Sequence, residues 1–185
     1  YEQTRRSRML IVLDTRISAY ADDVEFELAV STAASLGVRA LRDSRDVMFV
    51  VSQSSVSNAP VRSGRAALQK VETMSVLTSV SPARLLDEIA GLVLAAGSLP
   101  LGGLTPLAAN VAADVSVVFA VTGSVAGVSE IEQASLPFSA GVEVVALRCA
   151  TESAPRLRSS GRLTLGTIGR LDDLTKLLSK NRATA

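Results

Sequence analysis

The chain has 185 residues, 48% of them hydrophobic and 20% charged, which bounds it to one medium globular unit with a full core and excludes intrinsic disorder. A net charge of +1 and only 3% aromatic residues exclude a charge-steered, base-stacking nucleic-acid binder. With no histidine, Ser-His-Asp and Cys-His catalysis, histidine-ligated zinc and the usual neutral-pH general base are all excluded.

The chain opens Tyr1-Glu2-Gln3-Thr4, polar and without an initiator Met, which reads as a fragment of a longer protein. Residues 9–14 (MLIVLD) form a short continuous apolar run, the mark of a strand buried on both faces of a parallel sheet. Asp22, with Glu25 three residues later, reads as a helix N-cap and its box partner. From there Phe26, Ala29, Val30, Ala33, Gly37, Ala40 and Leu41 recur at helical spacing, with Gly37 allowing close approach to the sheet.

Residues 47–52 (VMFVVS) are a second buried-type strand, and residues 53–64, rich in Ser, Asn, Pro and Gly, read as loop. Residues 66–74 are ambiguous, readable as a strand that leads into the next helix. Ser81-Pro82 opens a helix running through Leu85, Leu86, Ile89 and Leu92, broken by residues 97–103. A shorter helix is expected over residues 104–113, then strands at 115–122 (VSVVFAVT) and 141–147 (GVEVVAL). Residues 162–168 alternate as an edge strand does, and residues 171–180 close the chain as a helix with Asp172 and Asp173 early and Lys176 and Lys180 late. Alternating strands and helices predict an α/β fold, a doubly wound and mostly parallel sheet with helices on both faces, as a single domain over 1–185. Cys149 is alone and follows an apolar run, as an inert buried thiol does. No apolar run approaches the ~18 residues needed to span a bilayer, so this fragment is not expected to insert into membrane.

In such sheets ligand sites form beyond the carboxyl ends of the strands. Three loops compete for that position: Asp14 to Ser18, residues 102–105, and Thr122 to Ser124. Neither a phosphate-binding loop nor a dinucleotide fingerprint is present, and Ser124 has neither a nucleophile elbow nor a histidine base. Asp14, Ser18 and Thr105 carry oxygens of the kind a hard divalent cation needs. Their pattern resembles the metal-ion-dependent adhesion site of von Willebrand type A domains, Asp-x-Ser-x-Ser completed by a second-loop Thr and a third-loop Asp. Asp14 and Ser18 match its outer positions and Thr105 its second loop. Arg16 stands where the middle Ser would be, and Val121-Thr122-Gly123 lacks the carboxylate of Thr-Asp-Gly. With one carboxylate left and a guanidinium added, no useful Mg²⁺ site and no other cofactor is expected, and Asp14, Ser18 and Thr105 are vestigial ligands.

The opening segment, the strand ending at Asp14 and the closing residues 165–174 (LGTIGRLDDL) are similar to bacterial proteins of the domain of unknown function 58 family. The resemblance implies a von Willebrand type A-like, Rossmann-like domain, often following N-terminal membrane helices, with genes that commonly neighbour a MoxR-type AAA+ ATPase. It implies a non-enzymatic protein-binding module on the cytoplasmic side, its parent anchored through an N-terminal region absent here. The binding face would comprise Asp14, Arg16, Ser18, Thr105, Thr122 and Ser124, and replacing Arg16 and Thr105 together is expected to weaken docking at nearly unchanged melting temperature. The alternatives are a hydrolase or nucleotide-using enzyme working around Asp14, and a scaffold that supports assembly of the full-length chain. Arg156, Arg158 and Arg162 make a small basic patch, either solvated surface or contact with an acidic partner.

Overall fold

The structure, a computed structural model, describes residues 8–52, 74–77, 81–112 and 114–184. The expected loop over 53–64 and nearly all of the ambiguous stretch over 66–74 lie outside the described residues.

The run MLIVL folds as expected. Strand β1 (Arg8–Leu13) alternates Met9, Ile11 and Leu13 into one apolar cluster with Leu10 and Val12 into a second, so both faces are sealed. It is flanked in parallel by β2 (Asp46–Ser52) and β4 (Val115–Gly123). Beyond β4 lie β5 (Glu143–Cys149) and β7 (Leu163–Ile168), also parallel. Two antiparallel strands close the edges, β3 (Met74–Leu77) beside β2 and β6 (Arg156–Ser160) beside β7. Among the described residues the order is β3-β2-β1-β4-β5-β7-β6.

Among the described residues, five helices cover this mixed sheet. Helices α1 (Asp23–Arg42), α2 (Pro82–Ala90) and α5 (Leu171–Thr184) cover one face, contributing Phe26, Ala33, Leu85, Ile89, Leu174 and Leu177 to the larger cluster. Helices α3 (Leu101–Val111) and α4 (Val128–Ser135) cover the other with Leu101, Leu104, Ala108, Ile131 and Ala134. None of the described helices is long and apolar enough to cross a membrane.

Helix starts follow their caps. Asp22 accepts from the Glu25 backbone N–H at 2.8 Å, and the Ser81 hydroxyl accepts from the Arg84 N–H with Pro82 in the first helical position. Asp173 accepts from Gly169 and Arg170 backbone N–H groups at 3.2 and 3.1 Å, fixing the entry of α5. Burial works to raise the pKa of Asp173, but those two N–H groups and Lys176 outweigh it and hold the carboxyl below its ordinary value.

Several elements differ from the sequence expectation. Strand β7 is interior rather than an edge, because β6 pairs along its outer side from Arg156↔Thr167 to Ser160↔Leu163. Helix α2 stops at Ala90, short of Leu92, and α3 begins at Leu101, three residues before the expected start. Helix α4 has no counterpart in the sequence expectation. Gly37 presses first on α2: a Cβ there would lie 2.5 Å from Leu85 Cδ2, and 3.5 Å from Ile11 Cδ1 on the sheet.

Candidate functional site at the strand ends

The chain runs outward from β1 to β2 and β3, then returns to the other side of β1 as β4. The crevice at the carboxyl ends of β1 and β4 is therefore the point where strand order reverses, the usual ligand position in open α/β sheets. Asp14 stands in it. Its backbone N–H continues the ladder to Val121 O at 2.9 Å, and the residue is fully buried.

A buried carboxylate needs partners, and Asp14 has four hydrogen bonds from two residues. Arg16 donates its backbone N–H and Nε to Oδ1, both at 3.1 Å, and Nη2 to Oδ2 at 2.8 Å. The backbone contact two residues along closes an Asx turn, which swings the Arg16 side chain back over the carboxylate. The Thr122 hydroxyl on β4 donates to Oδ2 at 3.0 Å. Arg16 Nη2 also reaches Glu130 in the first turn of α4, so one guanidinium ties the end of β1 to α4. The Arg16 side chain is 18% exposed and Asp14 0%, which makes this a mostly desolvated, forked ion pair. The Asp14 hydrogen bond and both carboxylate charges raise the Arg16 pKa further, against burial.

The surrounding backbone is locked to match. After Arg16 the chain makes a 3-10 turn, Ile17–Ala19, and the Tyr20 hydroxyl donates to Asp14 O at 2.5 Å. Burial, and then the Asp14 charge, push the Tyr20 hydroxyl well above its ordinary range, so it stays a donor. Gly123 permits the turn to sit against β4: a Cβ would lie 2.3 Å from Ala19 O. On the other flank Thr15 Oγ1 donates to Ser98 Oγ at 3.0 Å, and Ala95 N–H donates to Thr15 O at 3.0 Å.

Of the six sequence-derived face residues, Asp14, Arg16 and Thr122 come together in this hydrogen-bonded unit. Ser18 is exposed in the 3-10 turn. Ser124 joins a separate cluster, its N–H and hydroxyl both donating to Glu25 Oε2 at 3.2 and 2.9 Å while its carbonyl accepts from Arg148 Nε at 3.0 Å. Thr105 is a correction. It lies in the second turn of α3, fully buried, with its hydroxyl donated to Leu101 O at 3.0 Å. It sits inside the helix that the sequence predicts over 104–113, so the double replacement of Arg16 and Thr105 would cost stability rather than leave the melting temperature unchanged. Glu130 carries no signal in the sequence because its role depends on α4, and Glu25, the box partner of Asp22, also holds the β4–α4 loop.

No protein-family model matches the chain, and no curated protein matches it. A solved structure does, a von Willebrand factor type A protein from Catenulispora acidiphila, with a TM-score of 0.50 at 11% identity over 92% of this chain. The fold is von Willebrand type A-like. The chain spans 40% of that protein's length, and at this identity the likeness concerns the fold alone.

A type A-like fold raises the question of a divalent cation at Asp14, and the donor set does not fit one. Both Asp14 oxygens are held, the nearest cation is a guanidinium that cannot ligate metal, and Thr105 is fully buried within α3 with its hydroxyl turned to Leu101 O. Among the described residues no group of three or more His, Cys, Asp or Glu could hold a metal ion. Cys149, fully buried with its thiol pushed up to about 12 chiefly by desolvation, offers no thiolate.

Proposed function

We propose that this chain is a non-enzymatic protein-interaction module that docks a partner at the strand-end face without a metal ion. The observation that carries the reading is the Arg16 guanidinium seated on Asp14 at the topological switch point, where it supplies the positive charge of a degenerate adhesion site. The segments that follow β1 and β4 carry exposed apolar side chains: Ile17 is 52% exposed, Val125 58% and Val128 40%. Exposed apolar residues on the same segments as a preorganised Arg have the composition of an interface core.

The finer identity rests on the resemblance in sequence. It supports membership of the domain of unknown function 58 family, a parent protein anchored through an N-terminal region with this domain on the cytoplasmic side, and a MoxR-type AAA+ ATPase as partner. A hydrolytic or nucleotide-using role through Asp14 has less to rest on, since both oxygens are engaged and the chain holds no histidine to serve as a base.

The test is capture of the MoxR-type ATPase encoded beside the parent gene, with EDTA or Mg²⁺ present in nucleotide-free buffer. Capture is expected to survive EDTA and to be lost in Ile17→Asp/Val125→Asp, whose melting temperature stays at the wild-type value. Capture that requires Mg²⁺ overturns the metal-free reading. Capture that ignores the double variant overturns this face.

A further inference from the structure

The two edges of the sheet are built differently. The described strand at one edge, β3 (MSVL), carries no charge, whereas β6 (RLRSS) carries two arginines in five residues. Leu157 packs into the α1/α2/α5-side cluster, so strand alternation puts Arg156, Arg158 and Ser160 on the opposite face. That is the face covered further in by α3 and α4. Cover ends before it reaches β6: Leu163 is buried, Leu165 half-buried, Arg158 and Arg156 exposed.

In cross-strand register Thr167 and Leu165 of β7 lie across from Arg156 and Arg158. Arg148 on β5 also lies across from Thr167, but its guanidinium is engaged by the Ser124 carbonyl after β4, so the positive charge of this edge is that of Arg156 and Arg158. No Asp or Glu of β5, β6 or β7 shares this face; the one acid of these strands, Glu143, alternates with Val144 and so lies on the other side. Among the described residues neither Arg156 nor Arg158 has an ion pair or side-chain hydrogen bond, and the outer backbone edge of β6 has no strand beside it.

We propose that β6 is a second docking site, where an extended acidic segment of a partner protein adds to the sheet as an eighth strand. An added strand satisfies the free backbone edge, and arginines at i and i+2 of β6 stand about 7 Å apart, the spacing of alternate residues on a neighbouring strand. The fitting sequence is acid–apolar–acid: the two carboxylates face Arg156 and Arg158, and the apolar residue between them falls on the side of half-buried Leu157. Edge arginines also deter pairing with a second copy, whose own arginines would be brought close, so they admit a partner of opposite charge and refuse a like one. The surface presents no aromatic side chain for a base to stack on, which favours a peptide over single-stranded nucleic acid.

The experiment uses the whole chain and a short labelled peptide alternating Glu and Val. Controls are a composition-matched peptide with its glutamates contiguous, a Lys-Val alternating peptide, and oligo-dT. The Glu-Val peptide is expected to bind by anisotropy and to slow hydrogen exchange over residues 156–160. Arg156→Glu/Arg158→Glu, at wild-type melting temperature, is expected to weaken it by about tenfold or more and to bind the Lys-Val peptide instead. Equal binding of the contiguous-glutamate peptide or oligo-dT overturns the proposal. So do absence of binding up to about 1 mM peptide, protection outside β6, and self-association that protects β6 without peptide.

Discussion

Replacing Arg16 with Met measures how much of the strand-end structure depends on one guanidinium. Asp14 would keep two of its four hydrogen bonds, those from the Arg16-position backbone N–H and from Thr122, and lose the two from Nε and Nη2. Each lost bond is charge-assisted, worth about 1.5–3 kcal/mol. Removing one partner of a desolvated pair generally costs about 3–5 kcal/mol, because the remaining charge is stranded. Water entering along the 18% exposed Arg16 path offsets part of this, which puts the cost near 3 kcal/mol. For a chain of 185 residues that corresponds to a fall in melting temperature of about 6–12 °C. The assay is urea denaturation at neutral pH of wild type, Arg16→Met, Asp14→Asn and the double variant. The double variant is expected to be more stable than Arg16→Met alone, since it no longer buries an unmatched charge. A loss under about 1 kcal/mol for Arg16→Met, or additive effects in the cycle, would refute the reasoning.

Gly123→Ala should destabilise by about 2 kcal/mol or more in the same assay, because its Cβ meets the backbone of Ala19 at 2.3 Å; Gly102→Ala in α3, with nothing within 4 Å, should stabilise by about 0.5–1 kcal/mol. Cys149 should resist thiol reagents at neutral pH until the chain unfolds, with labelling that tracks denaturation; fast labelling of native protein would contradict its burial. The folded pKa of Asp173 is depressed, so its stabilisation is present above the unfolded value near ~3.9 and is lost as pH falls through the folded one. Asp173→Asn should therefore be less stable than wild type at neutral pH and approach it in acid, measured by melting temperature against pH.

The buried parallel strands were legible because burial on two faces leaves an unbroken apolar run, as in MLIVL. Helices α1, α2 and α5 announced themselves through Asp22, Ser81-Pro82 and the Asp172-Asp173 pair. Strand β6 was not legible: in RLRSS a single Leu is the only apolar residue, so no alternation of hydrophobicity exists to read, and the pairing belongs to its neighbour. Helix α4 buries only Ile131 and Ala134 and starts at Gly127 without a side-chain cap, too short a signal for periodicity. At the site, Asp14 and Arg16 could be paired from sequence because they are two residues apart. Glu130 lies 114 positions from Arg16, and only the fold brings it there. Thr105 failed for the reverse reason: a motif alignment treated as loop a residue that the helix already encloses.

The Arg16–Asp14 pair has a consequence for control by mass action. A divalent ion comes from solution, so its occupancy follows its concentration and a chelator can strip it. A guanidinium two residues along the chain is present at a fixed effective concentration that no change of buffer dilutes. Whatever engages this crevice meets the same guanidinium, already paired with Asp14 and Glu130, at any divalent-ion concentration. Its affinity can be tuned only by anions that compete for Arg16, beginning with the Glu130 carboxylate already in contact with it.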